Sequence, residues 1–197
     1  MLSSQERISN VSGFVSSCSG CACIKDVISP VMGDGNANAS VVFVGRAPGR
    51  EENVIGKPFV GASGRQLDKL LSYVQLRRSD VYITNLVKCY PPDDRDNTEE
   101  EIENCFQYLV AELLAISPKL VVVFGKQPVK KLLNIDDLMG ESGHLFETKA
   151  CLFFPMIHPA SVLKDQSGRA LKIWNRSQEV LKNVVDSLRL SSLQEEF

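Results

Sequence analysis

Apolar residues gather in four short runs, at 41–44, 81–84, 120–124 and 152–157, each rich in Val, Ile or Phe and nearly unbroken by polar positions. Continuous runs of this length are how strands buried on both faces of a parallel sheet read. Between them the period lengthens to that of a helix. Residues 64–76 place Leu67, Leu70, Leu71 and Val74 on one face. A second helix begins after Thr98, which makes a capping box with Glu101. It carries Ile102, Phe106, Leu109, Leu113 and Ile116 at helical spacing and stops at Ser117-Pro118. A shorter helix is expected over 127–133 and a longer one over 170–188, with Trp174 anchoring the latter to the core. The alternation predicts an α/β fold: a three-layer α/β/α sandwich around a mainly parallel, four-stranded sheet. No repeat, low-complexity tract or linker divides the chain. Residues 1–197 therefore read as a single domain, with 1–17 and 191–197 expected to be frayed.

Composition narrows the class. The chain has 197 residues, 22 Lys and Arg against 24 Asp and Glu, and six cysteines. That is far below the cysteine density of a small disulfide scaffold. No apolar run approaches the ~18 residues of a membrane span, and the N-terminus lacks the basic and apolar regions of a signal peptide. A soluble, intracellular protein is expected, in the cytoplasm or nucleoid, or in a host cytoplasm if the source is viral. There, cysteines serve as metal ligands or buried thiols rather than disulfides.

In such a fold, ligands sit where loops leave the carboxyl ends of the strands. Three segments qualify, at 45–61, 85–96 and 158–165. The first, GRAPGREENVIGKPFVG, fits neither the phosphate-cradling P-loop nor the dinucleotide fingerprint. Its glycines still allow a flat ligand to approach the backbone. Phe59 within it either stacks on a base or plugs the core. Asn85 ends the second strand and offers a donor and an acceptor side by side, though Asn is also a common turn residue. His158 stands at the rim after the fourth strand. The other histidine, His144, falls in a Gly/Ser-rich turn and reads as solvent-exposed. Cys18 and Cys21 form a C-x2-C pair with Cys23 close behind, and Cys89 and Cys105 follow far downstream. Four thiolates suit zinc or an iron–sulfur cluster, and buried cysteines without a metal remain the alternative. Cys151 reads as a core thiol.

From Cys18 to about Val184 these motifs resemble one family, the iron–sulfur type of uracil-DNA glycosylase known as family 4. CSGCACIKDVISPVMGDGNANASVVFVGRAPG is similar to its opening cysteine pair, first strand and motif 1. GKPFVGASGRQLDKLL, TNLVKCYPPDDRDNTEEEIENC, SPKLVVVFGKQPVKKLL and HPASVLKD follow in the family's order. The resemblance implies a monofunctional glycosylase of base-excision repair, which flips uracil out of DNA and hydrolyses its N-glycosidic bond. It implies that Cys18, Cys21, Cys89 and Cys105 hold a 4Fe-4S cluster, with zinc as the alternative and Cys23 surplus. Phe59 then stacks on uracil, Asn85 reads its edge, and His158 faces the oxygen where negative charge develops. Arg46 and Ala47 of motif 1 line the substrate pocket. Ser161, Val162, Leu163 and Lys164 form a loop that enters the DNA, with Val162 and Leu163 as its apolar wedge. The partner implied is uracil-containing DNA, single- or double-stranded, acted on by a monomer with no membrane attachment and no identified replication partner.

One position departs from the family. Motif 1 usually reads GEAPG, and here Arg46 replaces the Glu. An arginine cannot act as a base at working pH. Glu52, in the same loop, is the candidate substitute, so the catalytic set expected is His158, Glu52 and Arg46. The departure leaves three readings: an active enzyme with a rearranged site, an enzyme of altered base preference, or a uracil- or DNA-binding replication accessory protein without catalysis. Charge is uneven along the chain. Residues 45–78 hold seven Lys or Arg against three acids, whereas 93–103 hold seven acids against one Arg, expected to be an exposed loop and helix start.

Overall fold

The computed structural model describes residues 2–21 and 27–194. In chain order the elements are α1 (Ser4–Ser16), β1 (Asp34–Gly35), β2 (Val41–Gly45), α2 (Arg50–Ile55), α3 (Ala62–Tyr73), β3 (Tyr82–Asn85), α4 (Glu99–Ile116) and β4 (Leu120–Phe124). There follow α5 (Lys126–Leu133), α6 (Leu138–Glu141), β5 (Phe146–Glu147), β6 (Leu152–Met156), α7 (Pro159–Leu163) and α8 (Arg169–Gln194). The sheet order is β1-β3-β2-β4-β6-β5. Its four central strands are the four apolar runs and pair in parallel. The sheet has six strands rather than the four expected, because two-residue segments add antiparallel edges at β1 and β5. Segments that short carry no apolar signature.

The chain steps from β2 outward to β3, then crosses back over β2 to β4. Right-handed crossovers made in opposite directions place their helices on opposite faces of the sheet. Helix α3 accordingly packs with α7 and α8, while α4 packs with α1 on the other side. The reversal opens a crevice at the carboxyl ends of the strands. On the α8 side, Trp174 is buried and stacks on Phe124, ring centroids 6.1 Å apart. Helix α4 starts as its sequence requires: Thr98 accepts from the Glu101 N–H, and the Glu101 carboxylate accepts from the Thr98 N–H.

The N-terminal segment corrects the expectation of fraying. Residues 4–16 form α1, capped by a reciprocal Ser3–Glu6 box. Its buried stripe is Ile8, Val11 and Val15, and Arg7 donates to the carbonyl of Ala115 at the end of α4 at 2.8 Å. The stripe is only three residues wide in a polar stretch, so helical periodicity alone left it undetected. At the other end α8 runs on to Gln194, past the expected fray point at 191, and 195–197 lie outside the described residues. No described helix is long and apolar enough to cross a membrane.

The two sides of β3 are specialised. Side chains alternate across a strand, so Tyr82 and Thr84 face α4, where both bond the carboxylate of Glu112. Lys88, just beyond the strand, completes this network and is buried with it. Its ammonium lies 2.5 Å from Glu112 Oε2, 2.7 Å from Thr84 Oγ1 and 2.8 Å from the carbonyl of Asn85. Glu112 Oε1 also accepts from the N–H of Gly33. Every polar atom at the centre of this network is paired, the condition under which a buried ion pair is tolerated. Removing one partner strands the other charge, at a cost of roughly 3–5 kcal/mol. Glu112→Leu should therefore lower the free energy of unfolding by that amount, read as a lower urea midpoint at unchanged slope. The double change Lys88→Met/Glu112→Leu should recover only part of the loss, because Tyr82, Thr84 and the Gly33 N–H still lack their partner.

Candidate active site

A cavity of about 470 Å³ opens at the carboxyl ends of β2, β3, β4 and β6, where the strand alternation predicts a site. All three expected segments contribute to its lining, with Ala47, Phe59, Asn85 and His158 among them. Its floor is set by a glycine. Gly45 pairs with Asn85 across the sheet, and a Cβ on it would fall 2.4 Å from Asn85 Oδ1 and 2.6 Å from the Phe59 ring. Only glycine lets these two groups lie side by side. Asn85 is 2% exposed as a residue, borders the cavity and makes no side-chain hydrogen bond among the described residues. Its donor and acceptor are therefore open to a ligand in the cavity.

Phe59 is held in a backbone conformation that a residue with a side chain seldom adopts, φ 52°. Its carbonyl accepts from Arg78 at 2.6 Å and lies where a Cβ on Gly64 would stand, so Gly64 is obligatory. The ring stacks on His158, centroids 6.1 Å apart, and tilts against Phe124. Phe59 thus packs in the core on one side and borders the cavity on the other.

His158 caps α7. Its Nδ1 accepts from the N–H of Ala160 at 3.2 Å, which leaves Nε2 to carry the proton of the neutral ring. Burial, reinforced by the charges of Arg46 and Lys164, lowers its pKa to about 4. At neutral pH the cavity therefore faces an uncharged imidazole with Nε2–H as its donor. His144, by contrast, is exposed and pairs with Glu141.

Glu52 and Arg46 depart from the roles expected of them. Both border the cavity, but the Glu52 carboxylate is consumed by backbone N–H groups, from Gly49 on Oε2 and from Val60 and Gly61 on Oε1, at 2.9–3.1 Å. It braces the loop that carries Phe59. Helix α2 lies within this stretch, where only a loop was expected. Arg46 turns onto the segment 94–96. It bonds the carboxylates of Asp94 and Asp96 at 2.6 and 2.9 Å, and the carbonyls of Arg95 and Asp94 at 2.6 and 3.2 Å. The acidic run is therefore not simply a solvated loop. Asp94, Asp96, Lys126 and Gln127 join the lining without having been singled out. Only their place after a strand marked the first two, and Gln127 is bound to the main chain of Asn97 through both its side-chain atoms.

The expected DNA-entering loop is a helical turn. Ser161, Val162 and Leu163 lie in α7, and Lys164 is its cap. Ser161 and Lys164 border the cavity. Of the two residues expected to form an apolar wedge, Val162 packs against the core and Leu163 is about half exposed.

Cys18, Cys21, Cys89 and Cys105 line one small apolar cavity between α1, the loop after β3 and α4. They surround it rather than meet at a point: among the described residues no three His, Cys, Asp or Glu side chains converge on a single metal position. Asn104 holds the Cys18–Cys21 turn through the carbonyl of Gly20 at 2.8 Å. The N–H of Lys88 donates to Cys105 Sγ at 3.2 Å, and Tyr108 lines the same cavity. Burial raises the Cys105 thiol to about 11. Cys151 is half-buried beside β6, packed on the core, and Cys23 lies outside the described residues.

Comparison with known proteins agrees with this arrangement. The family described as the uracil DNA glycosylase superfamily matches residues 32–188. A type-4 uracil-DNA glycosylase of Archaeoglobus fulgidus is 41% identical over 167 residues, covering 80% of this chain and 84% of that one. Its counterpart in Thermotoga maritima is 33% identical over 190 residues, 94% of this chain and 98% of that one. In Saccharolobus solfataricus the type-4 enzyme is 37% identical over 159 residues, 76% and 74% of the two chains. With the cavity at the switch point of the sheet and the family's motifs around it, the chain belongs to the uracil-DNA glycosylase superfamily, among its type-4 members.

Proposed function

We propose that this protein excises uracil from DNA by hydrolysing the bond between the base and C1′ of the sugar, leaving an abasic site. The observation that carries the reading is the Asn85 amide, which makes no side-chain hydrogen bond among the described residues and borders a cavity that Phe59 and His158 also line. A pyrimidine entering beside Phe59 gains a flat apolar contact. Its hydrogen-bonding edge meets the Asn85 donor and acceptor, satisfying both. Such a base must first leave the stack, because its glycosidic bond is unreachable inside a duplex. As that bond stretches, the sugar becomes cationic and the base becomes an anion. In this pose the Nε2–H of His158 is the neutral donor offered to the anion, and a preorganised donor stabilises developing charge without reorganisation. No step requires a covalent bond to the protein.

The four cysteines fit a 4Fe-4S cluster. They come from distant parts of the chain, share one apolar cavity and stand around its rim. Such a spread suits a multinuclear centre better than a single zinc ion, whose four ligands crowd at one point. Its chemistry here would be structural cross-linking: Cys18 and Cys21 join α1 to the loop after β3 and to α4. Iron analysis of anaerobically purified protein should give roughly four iron per chain with brown colour. Cys105→Ala should lose the colour and lower thermal stability. A colourless, zinc-loaded protein would favour the alternative metal.

Incubating the purified protein with a uracil-containing single strand, then cleaving with alkali, tests the activity. Strand scission at the uracil position is expected, and intact strands despite tight binding would establish a DNA-binding role without catalysis. Asn85→Ala and His158→Ala should each lower the single-turnover rate by about 10²–10³, the usual cost of removing one such donor. The low pKa of His158 fixes a sign. The folded state binds its proton less readily than the unfolded chain, whose histidine titrates near 6.5. Its contribution to stability is thus complete above that value and is lost as pH falls toward about 4. Imidazole NMR should show the neutral Nε2–H tautomer throughout the range from pH 7 to about 5.

A further inference from the structure

The uracil reading fixes where a flipped nucleotide must lie, and one part of the cavity then has no task. The base fills the buried end, beside Asn85 and Phe59. The sugar, tethered to the DNA strand, must remain at the mouth. Positive charge builds on that sugar as the base leaves, and a water molecule must reach C1′ from the side away from the base. Acidic side chains at the mouth are the groups suited to both demands. Among the described lining residues the acids are Glu52, Asp94 and Asp96, and Glu52 is already consumed by the backbone.

Asp94 and Asp96 are differently placed. Each gives Oδ1 to Arg46 and makes no other side-chain hydrogen bond with the described residues, and their side chains are 59% and 85% exposed, at the outer edge of the cavity. Arg46 itself is mostly buried, 20% exposed, and spans the segment with four bonds, two to carboxylates and two to carbonyls. It thereby locks a stretch whose Asp93 and Asp94 both adopt φ 54°, unfavourable for residues with a side chain. Each carboxylate keeps its Oδ2 free of the described side chains while Oδ1 is tied to the guanidinium, and Lys126 and Lys164 border the same cavity.

We propose, resting on the glycosylase reading, that Asp94 and Asp96 form the anionic wall facing the sugar. In this arrangement they orient the attacking water, and Arg46 is the positioning residue that holds them. A carboxylate is thus supplied from the loop after β3, across the pocket from its usual place in motif 1. In the hydrolysis, the water oxygen bonds to C1′ as the C1′–N1 bond breaks and its electron pair leaves with uracil. The water proton passes to a free carboxylate oxygen of the wall and from there to solvent. The uracil anion, bonded to His158 Nε2–H, is protonated by solvent after release. Arg46 thereby changes from an apparent defect into the anchor of a relocated acid.

The test compares Asp94→Asn, Asp96→Asn and the double variant with the parent on a uracil-containing single strand, measuring single-turnover rate, strand affinity at fixed salt and thermal midpoint. The double variant is expected to lose about 100-fold or more in rate, while its midpoint is unchanged and its affinity equal or tighter, since two negative charges have left a DNA-facing mouth. A rate within roughly threefold of the parent overturns the assignment, as does a joint fall of rate, affinity and midpoint in the double and both single variants. Arg46→Lys should retain more activity than Arg46→Gln, since it keeps the charge but not the fork. Arg46→Glu alone should be inactive, because it faces Asp94 and Asp96, and should regain activity in the double-Asn background. A gain from Arg46→Glu alone would also overturn it. If the parent itself releases no uracil, it is the glycosylase reading that fails.

Discussion

The buried pair of Lys88 and Glu112 stands where three parts of the molecule meet. Glu112 belongs to α4 and draws Tyr82, Thr84 and the Gly33 backbone onto that helix. Lys88 holds the carbonyl of Asn85 with its ammonium and reaches Cys105 with its N–H. One residue therefore joins Asn85 at the active-site cavity to the cysteine cavity. An apolar pair of similar size would fill the space, but it would give no bond to the Asn85 carbonyl and leave the Glu112-facing hydroxyls unpaired. The pair is best understood as fixing the geometry of β3 and the loop beyond it, on which both sites hang.

The cavity is graded in polarity from its floor to its mouth. Inside lie Phe59, Asn85 and an imidazole kept neutral by burial and nearby cations. At the rim lie Arg46, Asp94, Asp96, Lys126 and Lys164. This gradient matches the order in which a flipped nucleotide enters, base first and charged strand last. The grading follows from topology. Gly45 and Asn85 are adjacent strand ends within the sheet, whereas the charged residues sit on loops that spread outward from it. Arg46 at the mouth contributes to keeping His158 unprotonated while its own charge is spent on Asp94 and Asp96.

The N-terminal segment is part of the same construction. Helix α1 lies on α4 through a capped, three-residue apolar stripe and delivers Cys18 and Cys21 beside Cys89 and Cys105. A shared metal centre at that point would close a loop of more than eighty residues, and constraints on long loops restrict the unfolded chain most.

The amino-acid sequence by itself determined the four parallel strands, the Thr98–Glu101 start of α4 and the three segments around the cavity. These depend on local periodicity and on hydrogen bonds between residues three apart. Motif order added the family and drew Phe59, Asn85, His158 and the four cysteines into one hypothesis; in the structure the first three line one cavity and the cysteines another. What it alone decided rests on contacts between residues far apart in the chain. Glu52 looked like a spare acid, and three backbone N–H groups showed it to be a brace. Val162 looked like half of a wedge, and its packing on the core shows only in the fold. Lys88 and Glu112 gave no signal, because charged residues are expected at the surface unless a partner some twenty residues away is known. Arg46 left three readings open because a substitution displays only the group that is gone. Its partners at Asp94 and Asp96, nearly fifty positions on, become visible only when the fold lays the two loops together.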